Sequence, residues 1–231
     1  MGNITTEEIT DLICGIWGQV SEKQRSLLKE SIKVVEYPKG GLFYKEFEHP
    51  RYLLFLIKGK VKIHKEGINH RNQIVRVIKP NGMFGFRAYF ADQDYETAAV
   101  AFEKSVVARI PLNVVFKLIR NNPDVAMFFV KDLSTKLGDA DQRTINLTQK
   151  HIRGRLAEAL LFLKDNYGVE EDGYTISIFL SREELANMSN MTTSNAIRTL
   201  SSFADEKLVV IDGRKLKIIN EDELREISKR G

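Results

Sequence analysis

Residues Leu180–Phe203 read LSREELANMSNMTTSNAIRTLSSF. Ser181 followed three residues later by Glu184 is a capping box, which satisfies orphan amide donors at the start of a helix. Leu185 and Ala186 then face inward, and the small Ala186 lets a second helix approach closely. Asn190-Met191 makes the turn, and Thr192 caps a second helix whose core face is Ala196, Leu200 and Phe203. The solvent face at the N-terminal end of that helix is then Thr193, Ser194, Asn195, Ile197 and Arg198. This is the grammar of a helix-turn-helix, in which those positions enter the major groove of DNA. Arg198 can pair bidentately with guanine, Asn195 suits adenine, and Ile197 can meet a thymine methyl.

The flanks extend this reading. Downstream, KLVVIDGRKLKIIN (207–220) is a hairpin turning on Asp212-Gly213. It supplies a wing, and Arg182, Arg214, Lys215 and Lys217 sit where phosphates would pass. Upstream, a helix over Arg153–Tyr167 is apolar at Leu156, Leu160, Leu161 and Leu163 and ends near Gly168, and Tyr174–Phe179 reads as a short strand. An ordinary helical hairpin with a polar face is the bland alternative. Helix, turn, helix and basic hairpin together are more specific than any one of them, and they point to sequence-specific binding of double-stranded DNA.

Further upstream the period changes twice. Asn121-Asn122-Pro123-Asp124 starts a long helix, with Pro123 suited to its first position. Along it, Val130, Leu133, Leu137, Ala140, Thr144, Leu147 and His151 step alternately by three and four. That is an a/d seam of about three heptads, which favours a homodimeric coiled coil over a helix lying on a globule. Between residues 33 and 111 the pattern is β-like: KVVEY, YLLFLIKG, KVKIHKEG, QIVRVIKP, AAVAFEK and VVARIP are broken by turns at Lys58-Gly59-Lys60 and Pro80-Asn81-Gly82. Such closely spaced strands suggest a jelly roll or barrel. Residues 4–31 are helical in spacing, with a start signal at Ser21. The expected division is 1–121 for a sensor domain with N-terminal helices, 122–150 for the long helix and 151–231 for the DNA-binding domain.

Composition narrows the function classes. The chain has 231 residues, a net charge of +4 and one cysteine, Cys14. The charge is +5 over residues 1–147 and −1 over 148–231, so no basic tail argues for nucleic acid and the argument rests on particular side chains. No apolar run approaches the ~18 residues of a membrane span, and the N-terminus lacks the features of a signal peptide. A cytoplasmic location is expected, with no membrane partner.

The chain resembles the CRP/FNR superfamily of bacterial transcription regulators over nearly its whole length. The resemblance rests on YPKGG (37–41), LLFLIKGKVKI (53–63), GMFGFRAYFADQDYETAAV (82–100), RNNPDVAMFFVKDLSTKL (120–137), HIRGRLAEALLFL (151–163) and the helix-turn-helix with its wing. It implies an α+β fold: an N-terminal double-stranded β-roll like a cyclic-nucleotide-binding jelly roll, a long dimerisation helix and a C-terminal winged helix-turn-helix. It also implies a dimer on pseudo-palindromic DNA, acting on RNA polymerase.

In the cyclic-AMP-binding branch the loop 85–97 carries a glutamate for the ribose and an arginine for the cyclic phosphate. Here the aligned cassette is Gly85, Phe86, Arg87, then Glu96 and Thr97, so Phe86 replaces the glutamate and Glu96 the arginine. The two hydroxyl residues that meet adenine on the long helix fall at Ala140 and Asp141. The resemblance thus implies a relative without cyclic-AMP chemistry. Arg87 swinging in to replace the lost arginine is a minor alternative. A single cysteine excludes an iron–sulfur cluster within one chain, and Cys14, in an apolar helical pattern, reads as a buried inert thiol before a redox switch. Haem stays open as an effector because Phe86, Tyr89, Phe90, Phe128 and Phe129 could line an apolar pocket, although rings filling the roll is the favoured reading. His49, His64, His70 and His151 show no signature spacing, and His151 reads as a cap of the following helix or a pH-sensing group. A scaffold or ligand-sensing roll with a vestigial helix-turn-helix is the rival function. An enzyme is set aside because no HxH spacing or triad is readable.

Overall fold

The computed structural model describes residues 4–67 and 72–231; His70 lies outside the described residues. Two compact units emerge, Met1–Lys65 with Val75–Leu137, and Glu66–Ile74 with Gly138–Gly231. The line between them falls inside the long helix.

The first unit opens with α1 (Thr6–Trp17) and α2 (Glu22–Ser31), each begun by a capping box, at Thr5/Glu8 and Ser21/Gln24. Among the described residues eight strands follow along the chain: β1 (Lys33–Tyr37), β2 (Leu42–Tyr44), β3 (Tyr52–Lys58), β4 (Val61–Glu66), β5 (Asn72–Ile78), β6 (Met83–Phe84), β7 (Ala98–Ala101) and β8 (Ser105–Pro111), with the short helix α3 (Arg87–Phe90) between β6 and β7. They form two four-stranded sheets, β1-β8-β3-β6 and β2-β7-β4-β5, the two walls of a roll. α4 (Leu112–Asn121) and the start of α5 (Pro123–Gln149) complete the unit.

The near-continuous apolar run of β3 is explained by burial on both faces. Leu54 and Leu56 point into the roll with Tyr44, Val61, Ile63, Phe84 and Val107. Leu53 and Phe55 point the other way, onto Ile9, Ile13, Trp17, Leu118 and Phe129 of the helices. The Lys58-Gly59-Lys60 turn needs glycine twice over. Gly59 has φ +95°, and a Cβ there would collide with Ser105 Oγ and lie 2.7 Å from the Lys104 carbonyl oxygen. The other predicted turn places Asn81 at φ +68°.

The second unit holds α6 (Ile152–Tyr167), α7 (Arg182–Met188), α8 (Thr193–Asp205), β9 (Val209–Asp212), β10 (Lys215–Ile218) and α9 (Glu221–Arg230). Leu156, Leu160, Leu161 and Leu163 of α6 are buried as their spacing predicts. Gly154 lets the C-terminus pass close: a Cβ there would lie 2.6 Å from the Gly231 carbonyl carbon. Arg225 reaches from α9 to Asp165 at 3.0 Å, and Lys164 pairs with Glu221.

Three sequence expectations change. Tyr174–Phe179 is not a strand; its alternation yields only single bridges, Val169 to Ile176 and Thr175 to Lys217. The reason is Asp172, whose carboxylate accepts from the amides of Tyr174 and Thr175 and from the Thr175 hydroxyl, folding the chain into a turn there. The hairpin turns one residue later than expected. Asp212 pairs with Lys215, so the loop is Gly213-Arg214, with Gly213 at φ +55°. Cys14 is half-buried, not buried, though it packs on the helix-side core and burial pushes its thiol pKa up.

Candidate nucleic-acid interface and effector loop

The helix-turn-helix is built by its caps. Ser181 Oγ accepts from the Glu184 amide at 3.1 Å while Glu184 accepts from the Ser181 amide at 3.0 Å. At the turn Asn190 adopts a left-handed φ of +49°, a conformation asparagine tolerates better than most residues. Thr192 Oγ1 then accepts from the Asn195 amide at 3.2 Å and opens α8. The buried face of α8 is Ala196, Leu200 and Phe203, joined by Thr199.

The opposite face presents Thr193, Ser194, Ile197 and Arg198 as exposed side chains, with Asn195 half-buried. Ile197 is 46% exposed. Arg198 donates to Asn195 Oδ1 at 2.5 Å, so the residues assigned to guanine and adenine touch each other across one helical turn.

The remaining cations divide. Arg182 donates to the Gly213 carbonyl at 2.8 Å, tying the first helix to the wing tip. Arg214 is exposed at that tip, and exposed Lys215 lies 5.8 Å over the Phe179 ring. Lys217, by contrast, is paired with Asp172 at 3.1 Å and works within the fold. Behind the interface Arg153 of α6 makes a bidentate pair with Glu206 at 2.8 and 2.7 Å, donates to Ser202, and lies 4.9 Å over the Phe203 ring. The position of α8 is therefore fixed by charge as well as packing.

The loop 85–97 has another character. Gly85 sits at φ +83° with its carbonyl accepting from the Tyr95 hydroxyl at 2.8 Å. Phe86 is 2% exposed, with the Phe129 ring 5.2 Å and the Phe90 ring 5.4 Å away. Lys136 of α5 lies 4.9 Å over its ring and 2.6 Å from Asp132. Burial pulls the Lys136 pKa down, with Asp132 opposing. Arg87 pairs with Glu96 at 3.5 Å. The half-buried Thr97 hydrogen-bonds Tyr44, whose pKa burial pushes up to about 12.

Phe86, Tyr89, Phe90, Phe128 and Phe129 pack on one another and on Phe116 and Trp17. Phe86 and Phe129 are core, and the half-buried Tyr89, Phe90 and Phe128 pack against it, as the reading of rings filling the roll expects. His49 faces Asp94 at 3.2 Å, and His151 occupies the N-cap position of α6 without a side-chain cap bond.

Of the seam residues, Val130 is 55% and Leu137 64% exposed, while Ala140 and Thr144 are also exposed and Leu147 is half-buried. Leu133 instead packs on the helix-side core of the first unit. Met127 and Ile145 are exposed as well, and the heptad reading did not include them. Ala140 and Asp141 are exposed on the helix.

Two family descriptions match the chain: the cyclic nucleotide-binding domain over residues 34–122 and the Crp-like helix-turn-helix domain over residues 154–227. The chain is 22% identical over 211 residues to the CRP-like cAMP-activated global transcriptional regulator of Mycobacterium tuberculosis, covering 91% of this chain and 94% of that protein. It is 23% identical to the global nitrogen regulator of Synechococcus elongatus over 83% of this chain and 88% of that one. Among solved structures, FixK2 from Bradyrhizobium japonicum has a TM-score of 0.77 at 21% identity, covering 85% of this chain and 96% of its own. A CRP/FNR family transcriptional regulator from Thermus thermophilus has a TM-score of 0.73 at 23% identity, covering 86% and 100%.

Proposed function

The chain belongs to the CRP/FNR family of transcription regulators, and from that premise we propose that it binds DNA as a homodimer through α8 and the β9–β10 wing. The observation that carries this is the Thr192-capped helix, which buries Ala196, Thr199, Leu200 and Phe203 and leaves Thr193, Ser194, Ile197 and Arg198 outward. Arg198, Asn195 and Ile197 read bases; Thr192, Thr193 and Ser194 bring amide and hydroxyl donors to the helix N-terminus; Arg182, Arg214 and Lys215 meet phosphates. The dimer forms along α5, where the exposed Val130 and Leu137 with Ala140, Thr144 and Leu147 support a symmetric helix pair. Leu133, already packed on the roll, contributes less. The domain assignment is a roll to residue 121, a dimerisation helix over 122–150 and a winged helix from 151, and the dimer acts on RNA polymerase from its operator.

The cyclic-AMP activation named for the Mycobacterium relative does not carry over. Phe86 is packed in the core where that branch places its ribose glutamate, and Glu96, in place of the phosphate arginine, is held by Arg87. A carboxylate at that position repels a cyclic phosphate. In vitro selection on random duplexes, followed by anisotropy at stated salt, tests the reading. A palindrome with half-sites about one helical turn apart is expected; enrichment of nothing specific with the protein as purified overturns effector-independent binding. Calorimetric binding of cyclic AMP in the micromolar range overturns the loop argument.

A further inference from the structure

The first unit contains a cavity of about 370 Å³ whose wall includes none of Phe86, Arg87, Glu96 or Thr97. Its volume lies within the roughly 300–1,000 Å³ of ligand cavities. Four aromatic rings face it, those of Phe43, Tyr44, Tyr52 and Tyr95. Tyr44 and Tyr95 are stacked with centroids 3.7 Å apart and planes within 15°, so each covers one face of the other.

Two arginines, Arg51 and Arg109, also line it. Arg109 sits on β8 opposite Leu54, in the inward phase of the strand that Val107 also occupies. Its guanidinium lies 4.0 Å over the Tyr52 ring. Among the described residues, neither arginine has a carboxylate within ion-pair distance. The acid on the wall, Glu48, accepts from the Lys45 amide at 2.9 Å, and the wall histidine, His49, faces Asp94. A stacked guanidinium keeps its in-plane donors free for an anion.

We propose that this cavity binds a small organic anion bearing one planar ring, with its carboxylate or phosphate on Arg109 and Arg51 and its ring among the aromatic side chains of the wall, Phe43, Tyr52 and the Tyr44–Tyr95 pair. Glu48 disfavours further negative groups on the ring. The site is independent of the DNA-binding reading; it shares Tyr95 with the 85–97 loop, and Tyr44 is hydrogen-bonded by Thr97 of that loop.

Calorimetric titration of the full chain with benzoate, phenyl phosphate, benzyl alcohol and acetate tests this. Benzoate or phenyl phosphate is expected to bind with benzyl alcohol and acetate at least tenfold weaker, and the tighter of the two anions identifies carboxylate or phosphate as the group recognised. Binding of neither anion, or equal binding of benzyl alcohol, overturns the proposal. Arg109→Gln is expected to weaken the preferred anion roughly 10–100-fold; unchanged affinity in a folded variant overturns it. Should Arg109→Gln not fold, Arg51→Gln, at an exposed position, takes its place, with a loss of affinity expected and unchanged affinity counting against the site. Chemical-shift changes at Tyr52 and Tyr95 in the parent protein must accompany binding, and changes confined to other rings place the anion elsewhere.

Discussion

The loop at Gly85–Thr97 and the helix-turn-helix at Ser181–Phe203 are both short, backbone-constrained segments, yet they dispose of their polar positions in opposite ways. In the loop, Phe86 turns into the core, Arg87 and Glu96 neutralise each other, and Tyr95 holds the Gly85 carbonyl. In the helix-turn-helix the caps are satisfied locally, so Thr193, Ser194, Ile197 and Arg198 remain exposed. A segment that satisfies itself keeps its shape and loses its partner. One that satisfies its caps and leaves its side chains at the surface, even where Arg198 rests on Asn195, keeps them within reach of a partner.

The largest effect expected from this contrast is at Phe86. Phe86→Ala removes a fully packed ring, and urea unfolding should show a loss of about 3–5 kcal/mol; a loss below about 1 kcal/mol would mean the ring is not core. Arg198→Ala should leave unfolding unchanged and weaken specific operator binding by about 1–3 kcal/mol, relaxing one base position. Ser181→Ala, at the capping box, should lower stability by about 0.5–2 kcal/mol, affecting DNA binding only through folding. Asp172 gives a pH test. Its hydrogen bonds with Thr175, then those with the Tyr174 amide and Lys217, hold its carboxyl well below the usual range. That contribution is present above the ordinary aspartate pKa of about 3.9 and declines as pH falls below it toward the folded value. Asp172→Asn should therefore flatten the acid limb of a stability–pH profile relative to the parent. The smallest effect is at Glu96. Glu96→Gln breaks a pair whose partners are 46% and 61% exposed, and stability should stay within about 0.5 kcal/mol.

The same contrast explains what could be read from sequence. Signals of local physics were legible: Ser181 with Glu184, Thr192, the alternation of KVVEY and the glycine turn at 59 all lie where their chemistry puts them. The helical spacing Leu112, Val115, Leu118 of α4 and the acidic start and basic end of α9 were available signals that the strand pattern and the hairpin overshadowed. Non-local partners were not legible. Nothing near Lys217 in sequence indicates that Asp172 claims it, nothing near Leu133 assigns it to the roll, and the alternation at 174–179 gives no hint of the turn that Asp172 imposes. Arg109 carried no motif at all. Its interest arises only when β8 is laid beside β3 and Tyr52 comes beneath it.

The burial of Phe86 has a consequence in mass action. A ring contributed by the chain itself is present once per protomer at every protein concentration, and neither dilution nor dialysis removes it. The place it fills therefore cannot report the level of any metabolite. Its occupancy is decided when the chain folds, and Lys136 over its outer face secures it there.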